Sequence, residues 1–171
     1  MENSSLNNFY ICAPFLFIFM KKVVTLVKNH DFYMKIALRE AQKAFLIGEV
    51  PVGAVIVKDN KILAKAHNLK DTKFIVTKHA ELLAIERASK KLHNWRLNDC
   101  ILYITLAPCP MCASAIEQAR FSQVIYGAES NNAKNNEIVS KIFDDSPIII
   151  KSGVLSVECA SIIKKFFSNI R

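Results

Sequence analysis

At 171 residues, 51% hydrophobic and 22% charged, the chain fits one globular domain, and four glycines and five prolines leave no linker-like or collagen-like stretch. Five cysteines, an odd number with two of them three apart, argue against a secreted disulfide framework and for a reducing compartment such as the cytoplasm. The net charge of +8 attracts phosphate without naming a partner, and +6 of it belongs to residues 29–171.

The chain opens with an apolar run from Phe9 to Met20, interrupted by Pro14. A membrane-spanning helix needs about 20 residues, so no membrane span is expected. A secretory signal would place positive charge before the run, whereas here Glu2 precedes it and Lys21 and Lys22 follow. Residues 1–28 therefore read as an extension, either without fixed structure or upstream of a later start at Met20 or Met34. Residues 29–171 read as the folded domain.

In chain order, Tyr33, Ile36, Ala37, Ala41, Ala44 and Phe45 recur at helical spacing and predict a helix over 30–45 that Gly48 ends. Residues 51–57 have the composition of a buried strand, 58–61 of a turn, and 62–66 of the second strand of a hairpin. Thr77 is the expected N-cap of a helix over 78–92. There follow a strand over 100–106, a helix over 109–119, short strands over 123–126 and 148–150, and an amphipathic helix over 156–167. Alternating strands and helices predict an α/β fold with helices on both faces of one sheet. The hairpin makes that sheet mixed.

Chemistry concentrates in two places, His79-Ala80-Glu81 and Pro108-Cys109-Pro110-Met111-Cys112. An imidazole and two thiolates are donors that zinc favours, and a catalytic zinc site keeps its fourth position for water. An isolated Cys-x-x-Cys equally suits a redox dithiol, half of a structural zinc site, or two core cysteines. Here the pair opens a predicted helix directly after a strand, where the dipole favours thiolate, and His79 heads a second helix. A structural site needs a fourth protein ligand. Cys100 and Cys159 read as core residues, and His67 and His93 as surface or hydrogen-bonded histidines. Glu81 is either a proton carrier for the site or an exposed acid favoured by the helix dipole. Residues i and i+2 do not share a helix face, so a regular helix alone does not bring Glu81 to His79.

These two motifs resemble the H-x-E…P-C-x-x-C pattern of the cytidine deaminase-like superfamily, a signature of zinc-dependent base deamination. Within it the chain is most similar to bacterial tRNA-specific adenosine deaminases, from about His30 to Phe167. Landmarks are Glu49-Val50-Pro51-Val52-Gly53, Asn68, Asn94-Trp95-Arg96-Leu97, Leu102-Tyr103-Ile104-Thr105-Leu106, Tyr126-Gly127-Ala128 and Phe166-Phe167. The resemblance implies a three-layer α/β/α fold around a mixed sheet of about five strands. It implies zinc on His79, Cys109 and Cys112, and Glu81 as the proton shuttle. It implies that Asn68 hydrogen-bonds the base, that the backbone amide of Ala80 lies in the pocket, and that Phe166 and Phe167 lie near RNA unless they pack in the core. The implied reaction is adenosine to inosine at the wobble position of a tRNA anticodon arm, by a homodimer.

The chain departs from the family pattern in three places. Ile75-Val76-Thr77-Lys78 stands for Asp-Pro-Thr-Ala, Ala107 for Glu, and Glu129 to Asn136 for a glycine-rich loop. None removes a ligand or the shuttle, but all bear on substrate identity. A deaminase of free guanine or cytosine is the nearest alternative. A non-catalytic zinc-stabilised RNA-binding protein and a thiol oxidoreductase are more distant ones.

Overall fold

The computed structural model describes residues 13–169, with side chains from His30 onward. The expectation that residues 1–28 stand apart from the domain concerns side chains outside this range. Helix α1 (Ala13–Leu46) begins upstream of the expected start at His30 and ends as expected, with Gly48 at φ +77 just beyond it. The chain continues through β1 (Gly53–Lys58), β2 (Lys61–His67), α2 (Lys70–Lys73), α3 (Ala80–Leu92), β3 (Ile101–Leu106) and α4 (Pro110–Gln118). It ends with β4 (Gln123–Ala128), α5 (Ala133–Asp144), β5 (Ile149–Lys151) and α6 (Ser156–Asn169).

The five strands form one sheet in the order β2-β1-β3-β4-β5. Strand β1 runs antiparallel to both its neighbours, while β3, β4 and β5 are parallel, so the sheet is mixed as expected. Asp59 and Asn60 both take positive φ (49 and 59), the conformation a two-residue hairpin turn requires.

Alternation along β1 separates the two faces. Ala54 and Ile56 join Leu102, Ile104 and Val124 in a core against Ala84 and Ala88 of α3 and Ile116 of α4. Val55 and Val57 join Tyr103 and Ile125 in a second core against Tyr33, Met34 and Ala37 of α1 and Cys159 of α6. Two covered faces make the three-layer α/β/α fold, and they explain why the central strands read as unbroken apolar runs. Helix α1 lies close against β1 because Gly53 has no side chain. A Cβ there would meet the carbonyl oxygen of Ala37 and come within 2.6 Å of the nitrogen of Ala41.

Helix α5 was not expected. None of its residues is buried, and its Asn-rich start reads as loop. Among the described residues no helix is long and apolar enough to cross a membrane.

Candidate active site

At one end of the sheet β2, β3 and β4 leave and β1 enters, because β1 is antiparallel to its neighbours. The N-termini of α3 and α4 follow at that same end. This is where open α/β sheets carry their sites. His79 is the N-cap of α3 (φ −74, ψ 151), not Thr77 as expected. Residues 75–78 form a turn of their own instead, with Lys78 N donating to Ile75 O at 3.0 Å. Leu69 N holds the carbonyl of Lys78 at 2.9 Å. Cys109 is the N-cap of α4 (φ −76, ψ 166), with Pro110 opening the first turn.

An N-cap side chain ordinarily accepts a hydrogen bond from its own helix, but neither His79 nor Cys109 does so. Their side chains turn toward each other. His79 Nδ1 lies 3.7 Å from Cys109 Sγ and 3.5 Å from Cys112 Sγ. Zinc–sulfur and zinc–nitrogen bonds of tetrahedral sites imply a nitrogen–sulfur edge of about 3.6 Å, so the three donors fit a single metal ion. Among the described residues they form the one such cluster, with ligand atoms all within 4.8 Å of one another. Cys100 and Cys159 are buried in the two cores. His67 Nδ1 pairs with Glu40 Oε2 at 3.0 Å, and His93 is the exposed C-cap of α3. Among the described residues no fourth protein ligand joins the cluster.

Electrostatics bind the three donors as one unit. Hydrogen bonding from Cys112, with further help from His79, holds the Cys109 thiol down at about 4. The hydrogen bond to Cys109 raises His79, and the same partner together with burial drives Cys112 upward. These shifts favour the thiolate form at Cys109, beside a histidine whose Nδ1 faces both sulfurs.

Glu81 is not an exposed acid. It lies in the first turn of α3, is 4% exposed, and its Oε2 has no hydrogen-bond partner among the described residues. Burial, then the negative charge of Cys109, pushes its carboxyl up to about 7. The extended backbone of His79 resolves the i, i+2 problem. His79 is not itself helical, so its imidazole can meet the side chain of the second helical residue.

A 190 Å³ cavity opens over these groups. Its lining includes His79, Glu81, Cys109, Asn68, Val50, Val52, Leu106 and Lys70. Asn68 is buried, and its Oδ1 accepts the backbone N–H of Ala80 at 2.9 Å. The carboxamide nitrogen of Asn68 is what remains for a ligand, while the amide of Ala80 is already engaged. Phe166 is buried against Phe45 and Phe167, and Phe167 is exposed. Neither lines this cavity. Of the departures from the family pattern, Ala107 and Ser130 line it, as does Asn135 in the first turn of α5.

Sequence reasoning assigned no role to Glu49. It is buried, accepts Thr72 N at 2.6 Å, and also takes hydrogen bonds from the backbone of Asp71 and Lys70. These bonds outweigh its burial and keep its carboxyl below the usual range. Glu49 thereby pins α2 against the cavity wall. An acid two residues before the expected apolar strand over 51–57 was the available signal.

Known proteins are similar to this chain in sequence and fold. The family model described as MafB19-like deaminase matches residues 28–171. A tRNA-specific adenosine deaminase of Bacillus subtilis (strain 168) is 41% identical over 146 residues, covering 82% of this chain and 90% of that protein. A structure from a study of A-to-I editing by tRNA:A34 deaminases superposes with a TM-score of 0.71 at 35% identity, covering 77% of this chain and 98% of its own. The guanine deaminase of Bacillus subtilis superposes with a TM-score of 0.58 at 41% identity, covering 69% of this chain and 78% of its own. Likeness of this extent, on a fold and donor set already built from the residues, makes the chain a member of the deaminase family that includes the tRNA-specific adenosine deaminases.

Proposed function

We propose that the chain hydrolyses adenosine to inosine at the wobble position of a tRNA anticodon, with one zinc ion held by His79, Cys109 and Cys112. The observation that carries this reading is Glu81, a buried carboxyl with an unpartnered oxygen beside a three-donor cluster. A purely structural site has no use for such a group. When bound, zinc polarises water and lowers its pKa toward about 7.

Glu81 does the proton work. Its Oε2 accepts a proton from the attacking water and returns it to N1 of the purine, and a second transfer releases the exocyclic amine as ammonia. Water supplies the oxygen of inosine, so atoms balance. Asn68 orients the base through its carboxamide nitrogen, and Val50, Val52 and Leu106 supply apolar walls. A cavity of 190 Å³ is small beside the roughly 300–1,000 Å³ of ordinary ligand pockets, which suits one base flipped out of a larger nucleic acid. The names of the relatives support tRNA as that nucleic acid. We place the enzyme in the cytoplasm as a homodimer. Residues 29–171 are its deaminase domain, and the family match from residue 28 supports that boundary.

A free-base deaminase is the second reading, favoured by the 41% identity with a guanine deaminase. Incubating an anticodon stem-loop and free guanine in parallel, with and without chelator, separates the two. Inosine in the RNA, lost on chelation, is expected. Turnover of guanine alone would overturn the RNA assignment.

A further inference from the structure

The segment between α2 and α3 holds out apolar side chains that the described residues leave largely exposed. Phe74 is 95% exposed, Val76 67% and Ile75 44%. Phe74 is the C-cap of α2 at φ 56, a left-handed conformation usually left to glycine. Backbone bonds fix it there: Phe74 N donates to Asp71 O at 3.3 Å, and Ile75 N to Lys70 O at 3.1 Å. The loop therefore presents its ring from a defined backbone.

Position and charge indicate the occupant. Lys70 and Asp71 line the cavity, and the helical rise from Lys70 to Phe74 is only about 6 Å, so Phe74 stands near the cavity mouth. Lys70 and Lys73 are exposed on the same short helix, and Lys78 follows. Trp95, another exposed aromatic, has Arg96 and Arg120 over its ring at 4.2 and 5.6 Å. Among the described residues no ring or cation covers Phe74.

We propose that Phe74 is a stacking platform for an unpaired RNA base next to the one that enters the cavity, with Lys70 and Lys73 on the adjoining phosphates. The proposal rests on the tRNA reading above and deepens it. A nucleotide flipped into the cavity leaves its neighbour without a stacking partner, and an exposed aromatic face replaces that partner regardless of sequence. Three apolar side chains among lysines are too few for a stable protein contact, which covers roughly 800 Å² on each partner. Their charge complements phosphate.

The test uses the zinc-loaded full chain and an anticodon stem-loop carrying 2-aminopurine beside the target adenosine. Phe74→Ala is expected to raise KM roughly tenfold, as loss of one base–aromatic stack does, with the loss falling on KM rather than kcat. Bound 2-aminopurine is expected to be quenched by the native chain and brighter with Phe74→Ala. Phe74→Trp restores both, and Lys73→Gln makes the dependence of affinity on salt shallower by about one charge. An unchanged KM and unchanged fluorescence, in a protein whose native form makes inosine in the stem-loop, would overturn the platform alone. Absence of inosine with the native chain would overturn the functional reading and the platform with it. A change of molecular mass on sizing of Phe74→Ala would assign the ring to a protein contact and also overturn the proposal.

Discussion

The backbone N–H of Ala80 and the carboxamide oxygen of Asn68, 2.9 Å apart, tie the end of the β1–β2 hairpin to the first turn of α3. That turn carries Glu81, so the Asn68 side chain both braces the segment bearing this carboxyl and faces the cavity. Asn68→Ala leaves a buried N–H without a partner, and we expect it to lose about 1–3 kcal/mol of stability together with turnover. Asn68→Asp keeps the acceptor and removes the donor. It should hold most of the stability and still lose turnover. Denaturant midpoints and deamination rates of the two variants check this, and full activity in Asn68→Asp would remove the contact with the base.

Glu81→Ala should bind zinc in the same stoichiometry as the native chain and lose about 10²–10⁴-fold in turnover, the contribution of a positioned acid–base group. Metal analysis beside kinetics reads both at once. Unchanged turnover would refute the proton-carrying role and would leave room for a non-catalytic RNA-binding protein.

The same carboxyl links stability to pH. In the metal-free protein its pKa is raised to about 7, chiefly by burial, while in the unfolded chain it titrates near the ordinary 4.5. The folded state therefore binds the extra proton between those values. The stability that the neutral carboxyl contributes is complete below about 4.5 and is lost as pH rises through about 7. The loss is on the order of 3 kcal/mol. Glu81→Gln should flatten that part of the profile, isolating it from His79 and Cys109. Zinc should flatten it too, because a nearby dication favours the carboxylate. A profile identical to the native one in Glu81→Gln would contradict this account.

Gly53→Ala tests the packing that holds the sheet against α1. The added Cβ would run into the backbone of Ala37 and Ala41, atoms that cannot rotate away. Overpacking of this kind costs about 1–3 kcal/mol, and backbone contacts belong at the upper end. A thermal midpoint within a degree of the native value would show that α1 has room to move.

Most of the fold was legible because periodicity and turn chemistry agreed. Asp59-Asn60 marked the hairpin, and helical spacing from Tyr33 to Phe45 marked the domain part of α1. Helix α5 was missed because four asparagines outweighed Ile138, Val139, Ile142 and Phe143, whose spacing was helical all along. Asn132 is in fact its N-cap, accepting Asn135 N at 3.0 Å. Thr77 lost the cap of α3 to His79 because a tertiary backbone bond from Leu69 holds Lys78 outside the helix. The grouping of His79, Cys109 and Cys112 could be read from residue chemistry. Strand order, the brace between Asn68 and Ala80, and the pinning of α2 by Glu49 could not, since they join residues distant in the chain.

X-ray absorption at the zinc edge of the purified protein tests the central claim most directly. Two sulfur neighbours at about 2.3 Å and two lighter neighbours, one nitrogen and one oxygen, at about 2.0–2.1 Å are expected, with one sulfur lost in Cys109→Ser. A third sulfur, a second imidazole in place of the oxygen, or a protein that takes up no zinc would contradict the account.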